Sequence, residues 1–394
     1  MKVLITGGVG FIGRYLARLC LAHGDKVTVL DNLSPQIHGF RSPSEIQQDF
    51  RRFVGASGHS SIDALTVHNG DVRNATVMAE AMEGQDAVVH LAAETGTGQS
   101  MCEVMRYEQV NIGGTAALVQ CLTTGRFPTI RRLVLASSRA VYGEGKYFCD
   151  TCGVVYPPMR TADAMRRGQF EPKCPRCQGS CHVLPTDEMS PAAPASFYGL
   201  TKQVQEEMIR LFARTLGVSA FILRYQNVYG PGQSLGNPYT GILAIFSNRA
   251  RAHEAINIFE DGKESRDFVY VEDVVWATRR CLDVGLPGIH CLNVGSGDPI
   301  TIEQVASQIK AYFRSETPLR FSGQFRVGDI RHNLADLERV KRILRYKPQV
   351  KFEEGIRRFL IWAEAQPFEI DRYEQSIEEL SQRGMAGISE SPRR

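Results

Sequence analysis

The feature that most constrains this chain is a run of glycines directly behind its first apolar segment. Met1-Lys2-Val3-Leu4-Ile5 leads into Thr6-Gly7-Gly8-Val9-Gly10-Phe11-Ile12-Gly13, where Gly7, Gly10 and Gly13 form G-x-x-G-x-x-G. Glycine here meets three demands: a tight turn, close approach of backbone to a pyrophosphate, and close packing of helix on strand. Behind the loop, Ile12, Leu16, Leu19 and Cys20 fall at i, i+4, i+7 and i+8, and Gly24 stands where a C-terminal cap belongs. That is an amphipathic helix, and its N-terminus offers N–H groups to a negative charge.

The pattern repeats. Val27 to Leu30, Leu65 to Val67, Ala87 to Leu91 and Leu133 to Ala136 are short continuous apolar runs separated by helical stretches, with another at Ala220 to Leu223. Continuous apolar character belongs to strands buried on both faces. Strands alternating with helices predict an α/β fold, a Rossmann-type doubly wound parallel sheet. Ligands of such sheets gather at the C-terminal ends of the strands. The candidate cofactor-binding residues there are Gly7, Gly10, Phe11, Ile12 and Gly13, then Asp31 and Asn32, then Asp71 and Val72, then Leu91, Ala92 and Ala93. Asp31 stands 18 residues beyond Gly13, where an acid accepts hydrogen bonds from ribose hydroxyls. It would repel a 2′-phosphate, and Asn32-Leu33 bring no arginine to offset that, so NAD is favoured over NADP.

The chain has 394 residues, enough for more than one unit. Residues 1–225 read as the NAD-binding Rossmann domain. From about Tyr225 the rhythm weakens and Gly and Pro multiply, as in Gly230-Pro231-Gly232. Residues 226–367 therefore read mainly as a smaller α/β substrate-binding domain, and 368–394 as a polar C-terminal tail whose last ten or so residues are loose. Lys and Arg number 46 against 43 acidic residues, a net +3, too even a balance for a nucleic-acid surface. No apolar run approaches the roughly 18 residues of a membrane-spanning helix. The chain opens on a strand-like run with no leader pattern before it, so a cytoplasmic protein is expected.

Tyr198-Gly199-Leu200-Thr201-Lys202 sets a phenol and an ammonium one helical turn apart on a shared face. Free tyrosine titrates at about 10, so acting as a base near neutral pH requires a shift of roughly 3 units, or about 4 kcal/mol. A lysine ammonium and a nicotinium charge can supply much of it, and the lysine can also hold the nicotinamide ribose. Alone, the pair equally fits an exposed helix surface. Its partner signal is Leu135-Ala136-Ser137-Ser138-Arg139-Ala140-Val141-Tyr142-Gly143, at the end of the fifth strand. A hydroxyl there can bond the oxygen whose proton the tyrosine takes.

Together with Asn111-Ile112-Gly113-Gly114-Thr115, Arg224-Tyr225-Gln226-Asn227-Val228-Tyr229-Gly230-Pro231 and Arg266-Asp267-Phe268-Val269, these motifs resemble the extended short-chain dehydrogenase/reductase family. The similarity is to its NAD-dependent nucleotide-sugar epimerase/dehydratase branch. It covers about residues 1 to 365, apart from an insertion at 147–182. The resemblance implies that Ser138, Tyr198 and Lys202 are catalytic, with Tyr198 as the base, and that Asn111, Tyr198 and Lys202 also contact NAD. It implies that Ser138, Arg139, Asn227 and Arg266 bind substrate, and that Arg326 and Asp329 hold its diphosphate and nucleoside ribose. Arginine suits phosphate because its fork donates two parallel hydrogen bonds, although each arginine alone also reads as a surface charge. A nucleotide-sugar substrate and a homodimer, paired through helices near Asn111 to Leu122 and Tyr198 to Leu216, are further implications.

Dehydratases of this branch usually carry an acidic pair directly after the catalytic Ser or Thr. Here those positions are Arg139 and Ala140, so no acid is at hand to protonate a departing C6 hydroxyl. Asp31 disfavours an NADPH-consuming reductase. Epimerisation at C4, through a 4-keto sugar and return of the hydride to its other face, is the leading expectation. Another NAD-dependent nucleotide-sugar oxidoreductase, a UDP-sugar 4-epimerase, and a non-catalytic NAD- or nucleotide-sugar-binding regulator are the alternatives.

Five of the ten cysteines crowd into the insertion. Cys149-Asp150-Thr151-Cys152 and Cys174-Pro175-Arg176-Cys177 are two C-x-x-C knuckles separated by 21 residues. Four thiolates at this spacing predict a closed, structural zinc site of the zinc-ribbon kind, with Cys149, Cys152, Cys174 and Cys177 as ligands. Cys181 is a spare, or it or His182 replaces a ligand. The other five, Cys20, Cys102, Cys121, Cys281 and Cys291, read as small buried apolar groups. Residues 149–182 hold five basic against three acidic residues, too few for a nucleic-acid ribbon. The insertion lies between Ser138 and Tyr198, so it reads either as a wall or lid over the sugar pocket or as a dimer or surface element. A cysteine-bearing insertion at this place resembles a subgroup of epimerases associated with dTDP-L-rhamnose and 6-deoxy-L-talose.

Overall fold

Residues 1–56, 62–236, 241–367 and 373–390 are described by a computed structural model. The apolar runs form β1 (Lys2–Thr6), β2 (Lys26–Asp31), β3 (Leu65–Asn69), β4 (Ala87–His90) and β5 (Arg132–Ser138). After the insertion strands β6 (Tyr147–Cys149), β7 (Gly153–Val155) and β8 (His182–Val183) comes β9 (Ser219–Tyr225). The rest are β10 (Asn227–Tyr229), β11 (Ile256–Ile258), β12 (Ser265–Tyr270), β13 (Ile289–Val294), β14 (Pro299–Thr301), β15 (Leu319–Phe321), β16 (Gln324–Arg326) and β17 (Ala386–Ile388).

Seven strands make one parallel sheet in the order β13-β9-β5-β4-β1-β2-β3. Its order reverses between β1 and β4, which opens a crevice at the C-terminal edge. Successive residues explain the continuous apolar runs: Val3 and Ile5 enter one core cluster, while Leu4 between them enters the cluster on the opposite face. The inner strands are thus buried on both sides, while the edge strand β3 keeps only Leu65 buried.

The cut at 225 is less clean than the sequence implies. β13 returns from the second half to pair with β9, and the helix Val271–Asp283 packs on the first helix, Phe11–Ala22. Without β13, β9 would be an unpaired apolar edge. The smaller unit is built from β10-β12-β14 and the pairs β11–β15 and β16–β17.

The C-terminal segment is not a loose tail where it is described. The helix Tyr373–Gln382 buries Ile377 and Leu380, and β17 pairs antiparallel with β16. Two apolar residues at i, i+3 and one long-range pairing outweigh a polar composition. Residues 368–372 and 391–394 of the expected tail lie outside the described residues. Among the described residues, no helix is long and apolar enough to cross a membrane.

Candidate active site

The first cofactor loop is shaped by forbidden space. Gly7 adopts φ +68°, and a β-carbon on it would sit 2.8 Å from the backbone of Ala92. One on Gly13 would lie 2.4 Å from the Gly7 carbonyl. The helix Phe11–Ala22 starts at Gly10 with no side-chain cap, so its first N–H groups face a ligand instead. Asp31 fastens the loop: its carboxylate accepts from Val9 N (3.0 Å) and Leu33 N (2.9 Å). These features fit a dinucleotide pyrophosphate at the helix end, with Asp31 at the adenosine ribose.

One cavity of about 560 Å³ runs from this loop to the second unit. It is lined by Gly7, Gly10, Phe11, Ile12, Gly13, Asp31, Asn32, Val72, Leu91, Ala92, Ala93, Ser138, Arg139, Tyr198, Lys202, Asn227, Arg266, Arg326 and Asp329. Two expected cofactor contacts are not on its wall. Asn111 is wholly buried behind it, where its side chain accepts from Glu94 N (2.8 Å) and donates to Glu94 O (3.1 Å) and Thr201 Oγ1 (2.9 Å). It fixes the loop after β4 to the tyrosine-bearing helix. Asp71 pairs with Arg73 (2.8 Å) and accepts from Asn32 Nδ2 (3.3 Å), while its neighbours Gly70 and Val72 line the cavity.

The tyrosine-bearing helix, Phe197–Leu216, is capped by Ser196, whose Oγ accepts from Gly199 N (3.2 Å). This places Tyr198 in the first turn, facing the end of β5. Ser138 and Arg139 each pull the Tyr198 pKa down, but burial outweighs both and holds it above its ordinary value. Lys202 lies one turn on, its Nζ 5.9 Å from the Tyr198 ring centre and donating to Ala136 O (2.8 Å). Burial pulls the Lys202 pKa down to about 7, against the pull of Glu206. The depressed tyrosine expected from the sequence is therefore absent from this arrangement of side chains. Lowering it requires positive charge brought by the cofactor.

At the far end, Arg326 pairs with Asp329 at 2.8 Å. Burial raises the Asp329 pKa, but Arg326 and Arg266 outweigh it and hold the carboxyl below the usual range. Arg139 sits in the same field, its pKa pulled down to about 10 by burial and by Arg266. Asn227 lines the same space, and its Oδ1 is buried without a partner. Three guanidiniums, one carboxylate and a free amide suit a diphosphate bearing a sugar and a nucleoside.

Several lining or supporting residues escaped the sequence reading. Glu206 lies beneath the site, bonded to Ser137 (2.5 Å) and Arg224 (2.7 Å). Tyr198, Lys202 and Glu206 recur every fourth residue, a signal that could have revealed it. Glu260 and Glu264 also line the cavity; Glu264 stands only two residues before Arg266, but neither acid belongs to a motif that marks it.

The four expected cysteines come together beside the three-stranded sheet β7-β6-β8, whose middle strand ends at Cys149. Their Sγ atoms lie within 4.8 Å of one another. Thiolates on a tetrahedral zinc would be about 3.8 Å apart, given Zn–S near 2.3 Å, so the set fits. Backbone N–H groups of Cys177 and Arg176 hold the Cys174 thiol down to about 6, which favours a metal-binding thiolate. No residue from 149 to 182 lines the cavity, so the insertion does not form the lid or wall considered from sequence.

A sequence model of the NAD dependent epimerase/dehydratase family matches residues 3–161 and 176–295. The chain is 35% identical to a dTDP-L-rhamnose 4-epimerase from Burkholderia thailandensis over 361 residues, 92% of this chain and 94% of that protein. A UDP-N-acetylglucosamine 4-epimerase from Methanobrevibacter ruminantium, solved with UDP-N-acetylmuramic acid, superposes with TM-score 0.72 at 27% identity. The match covers 93% of this chain and 99% of that one. A variant UDP-glucuronic acid 4-epimerase from Bacillus cereus, solved with UDP-4-deoxy-4-fluoro-glucuronic acid and NAD, has TM-score 0.73. At 21% identity, over 92% of this chain and 99% of that one, it shows the shared fold.

Proposed function

The chain belongs to the NAD dependent epimerase/dehydratase family, and from that premise we propose that it is a nucleotide-sugar 4-epimerase. The observation that carries this is one cavity holding Ser138, Tyr198 and Lys202 between a dinucleotide loop and the Arg266, Arg326 and Asp329 cluster, with Arg139 and Ala140 where a dehydratase keeps acids. Gly7, Gly10, Gly13, Asp31 and Lys202 would hold NAD, which supplies a hydride acceptor at C4 that later returns the same hydride. Ser138 orients the C4 hydroxyl, and Tyr198 takes its proton as the C4–H bond gives up its hydride. The arginines keep the diphosphate in place while the 4-keto sugar turns over. Tyr198 then returns the proton to the oxygen when hydride arrives on the other face. Each turnover leaves the cofactor as it began.

The substrate pair we infer is dTDP-L-rhamnose and dTDP-6-deoxy-L-talose. The Burkholderia relative and the cysteine-bearing insertion support it. The Methanobrevibacter structure keeps a UDP-sugar as the second reading. The reading includes a structural zinc on the four cysteines and a homodimer. Leu200 and Leu211, 43% and 61% exposed on the helix Phe197–Leu216, support a paired helix face.

The test is proton NMR of the purified enzyme with dTDP-L-rhamnose, UDP-glucose, UDP-galactose and UDP-glucuronic acid, without added reductant. The expected result is a C4 epimer from the dTDP sugar. Tyr198→Phe should retain NAD and lose about 10²–10⁴-fold in kcat. Turnover of a UDP sugar alone would move the assignment to the second reading. No turnover of any donor by NAD-loaded enzyme would contradict the epimerase.

A further inference from the structure

We infer that Arg160, carried by the cysteine-bearing insertion, is a positioning residue for the diphosphate end of the cavity, and that the insertion is a buttress behind that wall. The inference rests on the nucleotide-sugar reading above. Arg160 is 6% exposed. Its Nη2 donates to the Asp329 carbonyl (2.9 Å), its Nη1 to the Glu260 carboxylate (2.8 Å) and to Phe170 O (3.1 Å), and its Nε to Glu144 (3.1 Å). Asp329 and Glu260 line the cavity, and Asp329 is the partner of Arg326. Arg160 therefore grips the back of the residues whose fronts meet the ligand.

Two further links run the same way. Arg331, wholly buried two residues after Asp329, donates to Glu260 (2.9 Å) and to Glu171 of the insertion (2.7 Å). The Asp329–Arg331 segment is thus held at both ends by the insertion. The carbonyl of Arg166 accepts from Glu390 N (2.8 Å), just beyond β17, and β17 pairs with β16, which carries Arg326. Glu260 itself sits at φ +49°, a backbone region disfavoured for a residue with a β-carbon, so its guanidinium partners matter to its placement. An arginine suits this post because its planar fork can meet four acceptors at once. The insertion's own core is small, with Tyr147, Cys149, Val155 and Cys174, so it is suited to holding a strut and not to standing alone.

The test uses NAD-loaded full-length enzyme and titrates dTDP and UDP by calorimetry beside steady-state kinetics. Arg160→Gln is expected to weaken nucleoside-diphosphate binding and raise KM by about tenfold, with kcat changed less than about threefold. Arg160→Lys should recover part of the loss. Glu171→Gln, at a 56% exposed carboxylate, tests the second link if Arg160→Gln fails to fold, and should raise KM by about threefold. Unchanged binding and KM in folded Arg160→Gln, or in Glu171→Gln where Arg160→Gln does not fold, would overturn the inference, as would a fall in kcat alone. A wild-type enzyme that holds NAD but binds neither diphosphate would overturn the nucleotide-sugar reading itself, and this inference with it.

Discussion

Tyr198 and Lys202 are driven the same way by this cavity, each toward its neutral form, because burial penalises phenolate and ammonium alike. Their spacing and shared face were legible from four intervening bonds of helix, but their protonation was not, since it depends on walls contributed by distant strands. Asn111 makes the same point: its motif is visible in the sequence, yet its side chain is spent on Glu94 and Thr201. Glu264 shows the converse. It carries no motif, but burial beside Glu260 pushes its pKa from 4.5 up to about 7. The folded chain then keeps a proton that the unfolded chain releases, so stability falls as pH rises through that window and the cost is full above it. Glu264→Gln should gain on the wild type by up to about 3 kcal/mol between pH 5 and pH 8. Urea melts across that range check this; a pH-independent difference would contradict it.

At the scale of elements, what was legible followed burial on both faces. β1, β2, β4, β5 and β9 are apolar runs because both sides of the sheet are covered along them, while β3, at the edge, keeps only Leu65 buried. β13 was missed because its run lies far along a Gly-rich stretch and gains meaning only by pairing with β9. The C-terminal helix and β17 were missed for a like reason: few apolar residues carry them, and Phe325 packs on Gly387 across a pairing of distant segments. The gathering of the four cysteines was legible from their spacing alone, although the insertion's relation to the cavity was not. The purified chain should hold about one zinc per chain. Cys174→Ser or chelation should release it and expose residues 147–182 to protease while the seven-stranded sheet stays folded. Metal analysis with limited proteolysis decides this; a metal-free chain with an equally protected insertion would contradict it.

For the whole molecule, the sheet's C-terminal edge supplies the dinucleotide loop, β5 supplies Ser138, and the smaller unit supplies the arginines. The insertion stands behind that second wall, which joins a peripheral element to the geometry of the site. The central claim is that one hydride leaves C4 and the same hydride comes back. The most direct test is to incubate the enzyme with dTDP-L-rhamnose deuterated at C4, in ordinary water, and follow both sugars by NMR and mass spectrometry. The account predicts a C4 epimer that retains the deuterium, with no NADH accumulating. Loss of the label to solvent, or NADH formed in proportion to product, would contradict it.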